Sequence, residues 1–393
     1  MAPLKRYFTG ESTPPSQLLC NIQPCIRTVD IQTVGDRHHL TLFEMLGSWS
    51  IGNYFKQGAI ELAFKLLTDY FHFDPAHLYA TVFSGHPSLP IPPDELSGIY
   101  WEKVGLRKDH IVPLGLDNFW GPTGDFGPCG PCTEVFFDTG AAYGPTYKSG
   151  SEFDTENRYL EIWNAGVFMQ YDKRPDNTYL NLPILSVDTG SGLERLTMAK
   201  AKVPSVYETD LLQPIMQSVV SQLVNKNATI VEQRLLVDHL RATTFILAEN
   251  VRPGKTGSSY IPRRLIRRCI ALTIKQDCPD FDFATVINEI ITSTNIDYPH
   301  LNSQREEILE QFNFEQKKFS RTVKLGLAQL DKIPHNAPFQ VSGKKAFQLF
   351  SSYGLPLDII QDFAKHHKGT VDNAGFQSEF LQHQKISGRS VLS

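Results

Sequence analysis

Apolar residues in the first two hundred positions come in short bursts rather than long stripes. "HLYATVF" (77–83), "HIVPL" (110–114), "TEVFFD" (133–138) and "VFMQY" (167–171) are short and rich in β-branched and aromatic residues, and each predicts a strand. Among them, "KQGAIELAFKLLTDYFHF" (56–73) spaces its apolar residues as one face of a helix. "CIRTVDIQTVGDRHHLTLFEMLGSWS" (25–50) predicts two strands, near 22–28 and 39–46, joined by a polar loop. After about residue 205 the period changes. "ETDLLQPIMQSVVSQLV" (208–224), "QRLLVDHLRATTFILAEN" (233–250) and "SQREEILEQFNFEQKKFSRTVKLGLAQLDKI" (303–333) are long and helix-periodic, with Gly and Pro kept to the joints. The pattern predicts an α+β fold: a mostly antiparallel sheet flanked by helices over 1–215, then a mostly helical domain over 216–393.

Composition narrows the class without naming it. The chain has 393 residues, 41% of them hydrophobic, which is enough for more than one buried core. A formal charge of −4 means that any nucleic-acid contact must come from a local basic face. Six cysteines in so long a chain, with no secretory leader at its start, read as reduced thiols and a cytoplasmic setting. No apolar run approaches the ~18–20 residues that a membrane span needs, so no membrane partner is expected.

Four stretches carry candidate chemistry. In "SVDTGSGLERL" (186–196) a strand-like run enters a Gly-x-Gly turn and then a helix bearing Glu194 and Arg195. An arginine opening a helix can meet a phosphate with a planar, permanently charged fork; a solvated arginine at a strand–turn–helix corner is the other reading. In the 25–50 hairpin, Arg27, a loop with Arg37, His38 and His39, and Phe43–Glu44 suit a clamp on a nucleotide, with the arginine on a phosphate and the ring on a base. Phe43 as ordinary core stays open. The two histidines, if in a strand, would point to opposite faces, which argues against both holding one ion. "FGPCGPCTE" (126–134) has two thiols at zinc-binding spacing but no histidine close behind, so zinc is not expected. Its Gly-Pro pairs instead predict a sharp turn that leads into the strand carrying Glu134. In "RRLIRR" (263–268), Arg263, Arg264, Arg267 and Arg268 fall on one helix face, which suits phosphates or, alternatively, solvent.

Together these stretches resemble motifs 2 and 3 of class II aminoacyl-tRNA synthetases. "FEMLGSWSIGNYFK", "DNFWGPTGDFGPCGPCTEVFFD", "YLEIWNAGVFMQY", "SVDTGSGLERL", "DHLRATTFILAENVRP", "YIPRRLIRR", "KAFQLFSSYGLPLDII" and "AGFQSEF" resemble, in that order, the alanyl-tRNA synthetase family. The resemblance implies a class II synthetase-like catalytic domain that activates alanine with ATP and magnesium, then passes the alanyl group to the 3′ end of a tRNA. It implies that Arg27 bridges the alanine carboxylate and the α-phosphate, that Arg195 holds the far end of a bent ATP, and that Phe43 stacks on adenine, with His39 and Glu44 alongside. Glu134 and Glu161 become the magnesium candidates. Asp188 is matched to the ammonium of alanine, Trp120 to a pocket wall and Asn164 to a polar contact. Arg263, Arg264, Arg267, Arg268 and Asp358 are matched to the tRNA acceptor stem. A monomer is the expected state. A pocket this small separates alanine from glycine or serine by only ~1–3 kcal/mol.

Several positions depart from the family pattern. The chain opens inside the family's first motif, and the family's editing domain and C-terminal tRNA-binding module do not follow, so charging without an editing domain of its own is the expectation. The Gly-Gly-Lys that follows the motif 2 arginine in the family is replaced by "TVDIQTVG". "EIWNAGVFMQ" is one residue longer than the family's version, which predicts a bulge. An asparagine that reads the acceptor stem falls on Ile274. Two other readings therefore stay open: a paralogue that transfers the acyl group to a non-tRNA acceptor, and an inactive RNA-binding module.

Overall fold

The computed structural model describes residues 4–29, 31–223, 227–333 and 340–386. They form two compact units, one of Met1–Cys25 with Phe43–Thr209 and one of Ile26–Leu42 with Asp210–Ser393.

The first unit is built on a sheet of β1 (Leu18–Ile26), β2 (Leu42–Ile51), β3 (Leu78–Phe83), β4 (Ile111–Leu114), β5 (Phe119–Trp120), β6 (Gly127–Asp138), β7 (Tyr159–Lys173) and β8 (Tyr179–Gly192). The order is β1-β2-β8-β7-β6-β3-β4, with β5 paired to β6. The ladders from β2 through β8, β7 and β6 to β3 are antiparallel, and β3–β4 is parallel. The short helix α1 (Lys5–Phe8), α2 (Lys56–Lys65), α3 (Glu95–Val104) and α4 (Leu193–Ala201) accompany the sheet. The helix expected over 56–73 is α-helical only to Lys65 and then widens into a π-helical turn, Leu66–Tyr70.

Two local expectations change. The Gly-Pro pairs of "FGPCGPC" lie inside β6, which begins at Gly127, so they do not make a sharp turn before it. Gly130 is needed there because a Cβ on it would fall 1.8 Å from the Phe168 carbonyl oxygen, leaving no room for any side chain. Gly190 and Gly192 likewise do not form a turn: β8 runs through them, pairing Gly190 with Gly47 and Gly192 with Met45, and α4 starts at the next residue.

The bulge expected in "EIWNAGVFMQ" is present. Val135 pairs with Trp163 and Phe136 with Glu161, which skips Ile162; Glu134 pairs with Asn164 and Thr133 with Gly166, which skips Ala165. Residues three apart in a regular strand face opposite ways, so the extra residue puts Glu161 on the same face as Asn164.

The second unit is helical: α5 (Gln213–Gln222), α6 (Ile230–Ala248), α7 (Tyr260–Lys275), α8 (Phe283–Ser293), α9 (Pro299–Ser303), α10 (Arg305–Asp331), α11 (Gly343–Tyr353), α12 (Leu357–His366) and α13 (Asn373–Ile386). A two-residue parallel ribbon joins β9 (Gln340–Val341) to β10 (Thr370–Val371). α6 opens with a capping box in which Thr229 and Glu232 satisfy each other's backbone N–H groups. From Leu235 to Ala248 every residue of α6 is buried, so this helix is the axis of the unit.

Candidate active site

In the first unit, one face of the sheet collects most of the predicted residues. Asp188 on β8 pairs with Trp49 on β2 and with Val167 on β7, and Val167 pairs with Cys132 on β6. Paired residues share a face, so these four side chains form one wall on the same side of the sheet. Trp120 packs against the same apolar cluster, which includes Trp49, Cys132 and Val167. Asn118 fixes the strand that delivers Trp120: its Nδ2 donates to Thr81 Oγ1 at 2.8 Å and to the Cys132 carbonyl at 3.1 Å.

Asp188 is the polar group of this wall. Its Oδ2 is buried and, among the described residues, accepts no hydrogen bond. Burial pushes its carboxyl up to about 6 by depriving the charged form of water, and a nearby positive charge and the Trp49 side chain only partly oppose it. A buried carboxylate oxygen without a hydrogen-bond partner, beside indole and valine surfaces, is suited to a small ammonium-bearing ligand, since a cation would supply that partner.

Next to it lies a charged corner. Asn164 Nδ2 donates to Glu134 Oε1 at 3.1 Å, and Arg195 NH1 donates to Glu161 Oε2 at 3.1 Å. Burial raises the Glu134 carboxyl well above the usual carboxylate range; Glu161 and Asp117 raise it further, and Arg195 opposes them. Three carboxylates against one arginine leave an unmet demand for positive charge. That fits magnesium, which takes one or two carboxylates and completes its shell with water and phosphate oxygens.

Strand parity separates Phe43 from Glu44. Residues 43, 45, 47 and 49 of β2 alternate onto the face of Asp188. Glu44 is buried on the other face, and its backbone N–H donates to the carboxylate of Glu194 at 3.1 Å. Glu194 of "GLER" thus ties β2 to the start of α4, one residue before Arg195.

Arg27 and His39 belong to the second unit. His39 sits in an irregular segment, not a strand, and its ring lies 4.4 Å from that of His38. The parity argument against a shared ion therefore does not apply to them. Asp36, His38 and His39 bring three ligand atoms within 4.8 Å of one another. Asp36 is nonetheless engaged by the turn itself, accepting from the His38 and His39 N–H groups at 2.9 and 2.8 Å and meeting His39 Nδ1 at 2.5 Å. Burial would raise this carboxyl, but those bonds outweigh it and hold the group well below its usual range.

The CxxC thiols are buried in β6. Burial pushes Cys129 up to about 11 and Cys132 well above its ordinary value, which favours neutral thiols.

The arginines of "RRLIRR" do lie together on α7, but they do not form an open basic face. Arg267 is 7% exposed and Arg268 4%. Arg267 Nε donates to Glu315 at 2.6 Å, its NH1 donates to the Gly354 carbonyl at 2.8 Å, and its guanidinium stacks 4.5 Å from the Phe319 ring. Arg263 meets the same Glu315 at 3.4 Å. Arg268 NH1 donates to the Ile31 carbonyl at 3.2 Å. Arg264 stays partly exposed. Ile274 lines a cleft of ≈ 370 Å³ with Arg268, Lys275, Lys324 and Phe363. The Asp358 side chain lies outside the described residues. Sequence reasoning missed Trp49, Val167 and Cys132, because their role depends on cross-strand pairing that only the register reveals.

A bulged antiparallel sheet flanked by helices, whose last strand runs straight into a helix, is the class II aminoacyl-tRNA synthetase fold. The family model described as tRNA synthetases class II (A) matches residues 1–392, and the chain belongs to that family. An alanine–tRNA ligase of Treponema pallidum is 38% identical over 98% of this chain and 65% of that protein. One from Natranaerobius thermophilus is 37% identical over 100% of this chain and 44% of that protein, and one from Borrelia hermsii 37% over 98% and 66%. The chain thus spans between about two fifths and two thirds of the length of these relatives. Among the described residues, no helix is long and apolar enough to cross a membrane.

Proposed function

We propose that this chain activates alanine with ATP and transfers the alanyl group to the 3′ end of an alanine-accepting tRNA. The observation that carries the reading is Asp188, a buried carboxylate with an unpartnered oxygen in a wall of Trp49, Val167 and Trp120. An ammonium with one methyl beside it satisfies that carboxylate without filling the wall with polar atoms. The three relatives described above are alanine–tRNA ligases, which agrees with that choice.

In this reading the alanine carboxylate attacks the α-phosphorus in line and pyrophosphate leaves, so the protein's work is positioning and charge neutralisation. Arg27 bridges the carboxylate and the α-phosphate. Arg195 holds the far phosphates, steered by Glu161, and Phe43 stacks on adenine, with His39 beside the phosphates. Glu134 and Glu161 would hold magnesium, which supplies neutralisation of the phosphate charge. Asn164 orients Glu134 by the bond to its Oε1. Acceptor-stem contact falls to the helical unit, with Arg264 as the member of the arginine cluster best placed to reach phosphate.

The test is alanine-dependent pyrophosphate exchange together with charging of purified tRNA. Exchange and charging are expected from the wild type, and Arg27→Ala is expected to abolish exchange in a folded protein. Survival of exchange at near the wild-type rate in that variant would sink the assigned α-phosphate contact. A second reading, transfer to a non-tRNA acceptor, is favoured by one observation: Ile274, at the family's base-reading position, offers the cleft no hydrogen-bonding group. Exchange without charging would select it.

A further inference from the structure

The segment that carries Arg27 and His39 is folded as part of the helical unit, and the helices grip it by its backbone. Positions 231, 234, 235, 238 and 241 form a single stripe of α6 at i, i+3, i+4 spacing. Each of them meets the 26–42 segment or its end. Asp238 Oδ1 accepts the Thr41 N–H at 2.6 Å, and Thr41 in turn accepts from the Arg27 N–H at 2.9 Å. Arg241 NH1 donates to the Leu42 carbonyl at 3.0 Å, and Arg234 NH1 to that of Asp36 at 3.0 Å. From α7, Arg268 donates to the Ile31 carbonyl.

Packing says the same independently. Ile31, Val34 and Leu40 are buried. A Cβ on Gly35, whose φ is +104°, would fall 2.8 Å from Val231 Cγ1 and 3.1 Å from the Val231 carbonyl oxygen. The segment therefore lies against α6 more closely than any side chain at 35 allows.

We propose that Asp238, Arg234 and Arg241 on α6, with Arg268 on α7, are positioning residues for the nucleotide step. They hold the shape of the segment that presents Arg27 and His39 to ATP, so that part of the helical unit serves adenylate formation in the absence of RNA. Asp238 is central, because its two oxygens divide between the Thr41 N–H and His239 Nδ1 at 2.8 Å, and through Thr41 it reaches the residue whose side chain is assigned to phosphate. The proposal rests on the adenylate-forming reading of the chain.

The experiment is pyrophosphate exchange without tRNA on the full chain, with amide hydrogen exchange read at Thr41. Asp238→Ala is expected to raise the KM for ATP at least tenfold while the KM for alanine stays within twofold, and to speed Thr41 amide exchange. Asp238→Asn, which keeps an acceptor oxygen, is expected to recover most of the ATP affinity. A folded Asp238→Ala protein with unchanged KM for ATP overturns the proposal, as does a rise in both KM values by the same factor. Should Asp238→Ala fail to fold, Asp238→Asn and Arg241→Lys are judged by the same split, with smaller shifts expected. If the wild type gives no exchange with alanine, the activity reading fails. Positioning is then decided by equilibrium ATP binding, where Asp238→Ala must weaken ATP at least tenfold relative to wild type or the proposal falls too.

Discussion

Two arginine-bearing helix segments, Arg195 at the start of α4 and the cluster of α7, look alike in the sequence and differ in the fold. Arg195 keeps about a quarter of its side chain exposed and meets Glu161, itself open to solvent, at 3.1 Å. Arg267 and Glu315 are almost wholly buried, and the acceptors around Arg267 are all internal: a carboxylate, a carbonyl oxygen and the face of a phenylalanine ring. An arginine is available to a ligand where its helix faces an opening in the fold. Where the surrounding elements supply carboxylates and carbonyl oxygens of their own, the same side chain becomes a brace.

The sharpest way to break the comparison is to remove one arginine from each place. Arg267→Ala strips the buried Glu315 of its closer partner and leaves, among the described residues, the longer contact to Arg263, and a loss of about 3–5 kcal/mol in folding stability is expected by chemical denaturation. Replacing both partners by apolar residues, Arg267→Met with Glu315→Leu, is expected to recover most of that loss, because the penalty comes from the stranded charge. If Arg267→Ala unfolds at the wild-type midpoint, the brace reading is wrong. Arg195→Ala is expected to do the opposite: a fall of about 10²–10³ in the exchange rate, as for loss of one transition-state donor, with the unfolding midpoint nearly unchanged.

Much of the contrast was hidden from the sequence for a definite reason. Strand and helix periods located β3, β4 and the long helices α6 and α10 to within a few residues but caught only the ends of β6 and β7, and glycine-flanked "SVDTGSGLERL" marked where Arg195 would stand. The α7 arginines were spaced correctly but assigned to the outside, because their acceptors at Ile31, Glu315 and Gly354 lie tens of residues or more away in the chain. Local periodicity carries no information on such partners. Register has the same property. The bulges at Ile162 and Ala165 decide that Glu161 and Asn164 share a face, and only the single surplus residue in "EIWNAGVFMQ" hinted at them. The segment 26–42 read as a simple hairpin loop, and nothing in its own residues said that α6 would hold it.

Asp188 offers a third kind of buried charge, one whose Oδ2 accepts no hydrogen bond among the described residues. Its carboxyl stands near 3.8 when unfolded and about 6 when folded, so between those values the native state binds the extra proton. Stability of the alanine-free protein is therefore expected to fall as pH rises from about 4 to about 6 and to level off above it. The full cost is on the order of 2–3 kcal/mol, an upper figure for a carboxyl that retains some exposure. Asp188→Asn removes the cost, so the variant is expected to melt higher than wild type at pH 7 and to lose this slope while failing to activate alanine. Wild-type alanine affinity is expected to weaken as pH drops below about 6, in pyrophosphate exchange at fixed ATP. A flat profile between pH 5 and 7.5 would remove Asp188 from the ammonium site.

The smallest effect is expected at Arg264, the partly exposed member of the α7 cluster, and it tests the same contrast at the RNA. If Arg264 contacts one phosphate while Arg267 and Arg268 serve the fold, Arg264→Ala lowers the salt dependence of tRNA binding by about one counterion. The affinity loss should be modest and similar for different acceptor-stem sequences, because a phosphate contact carries no base information. The measurement is log Kd against log salt for wild type and variant, with the exchange reaction run alongside to show an intact ATP site. Equal slopes would mean that Arg264, too, is turned to the protein, and that RNA affinity arises elsewhere on the helical unit, with Lys275 and Lys324, which line the Ile274 cleft, the next cations to replace.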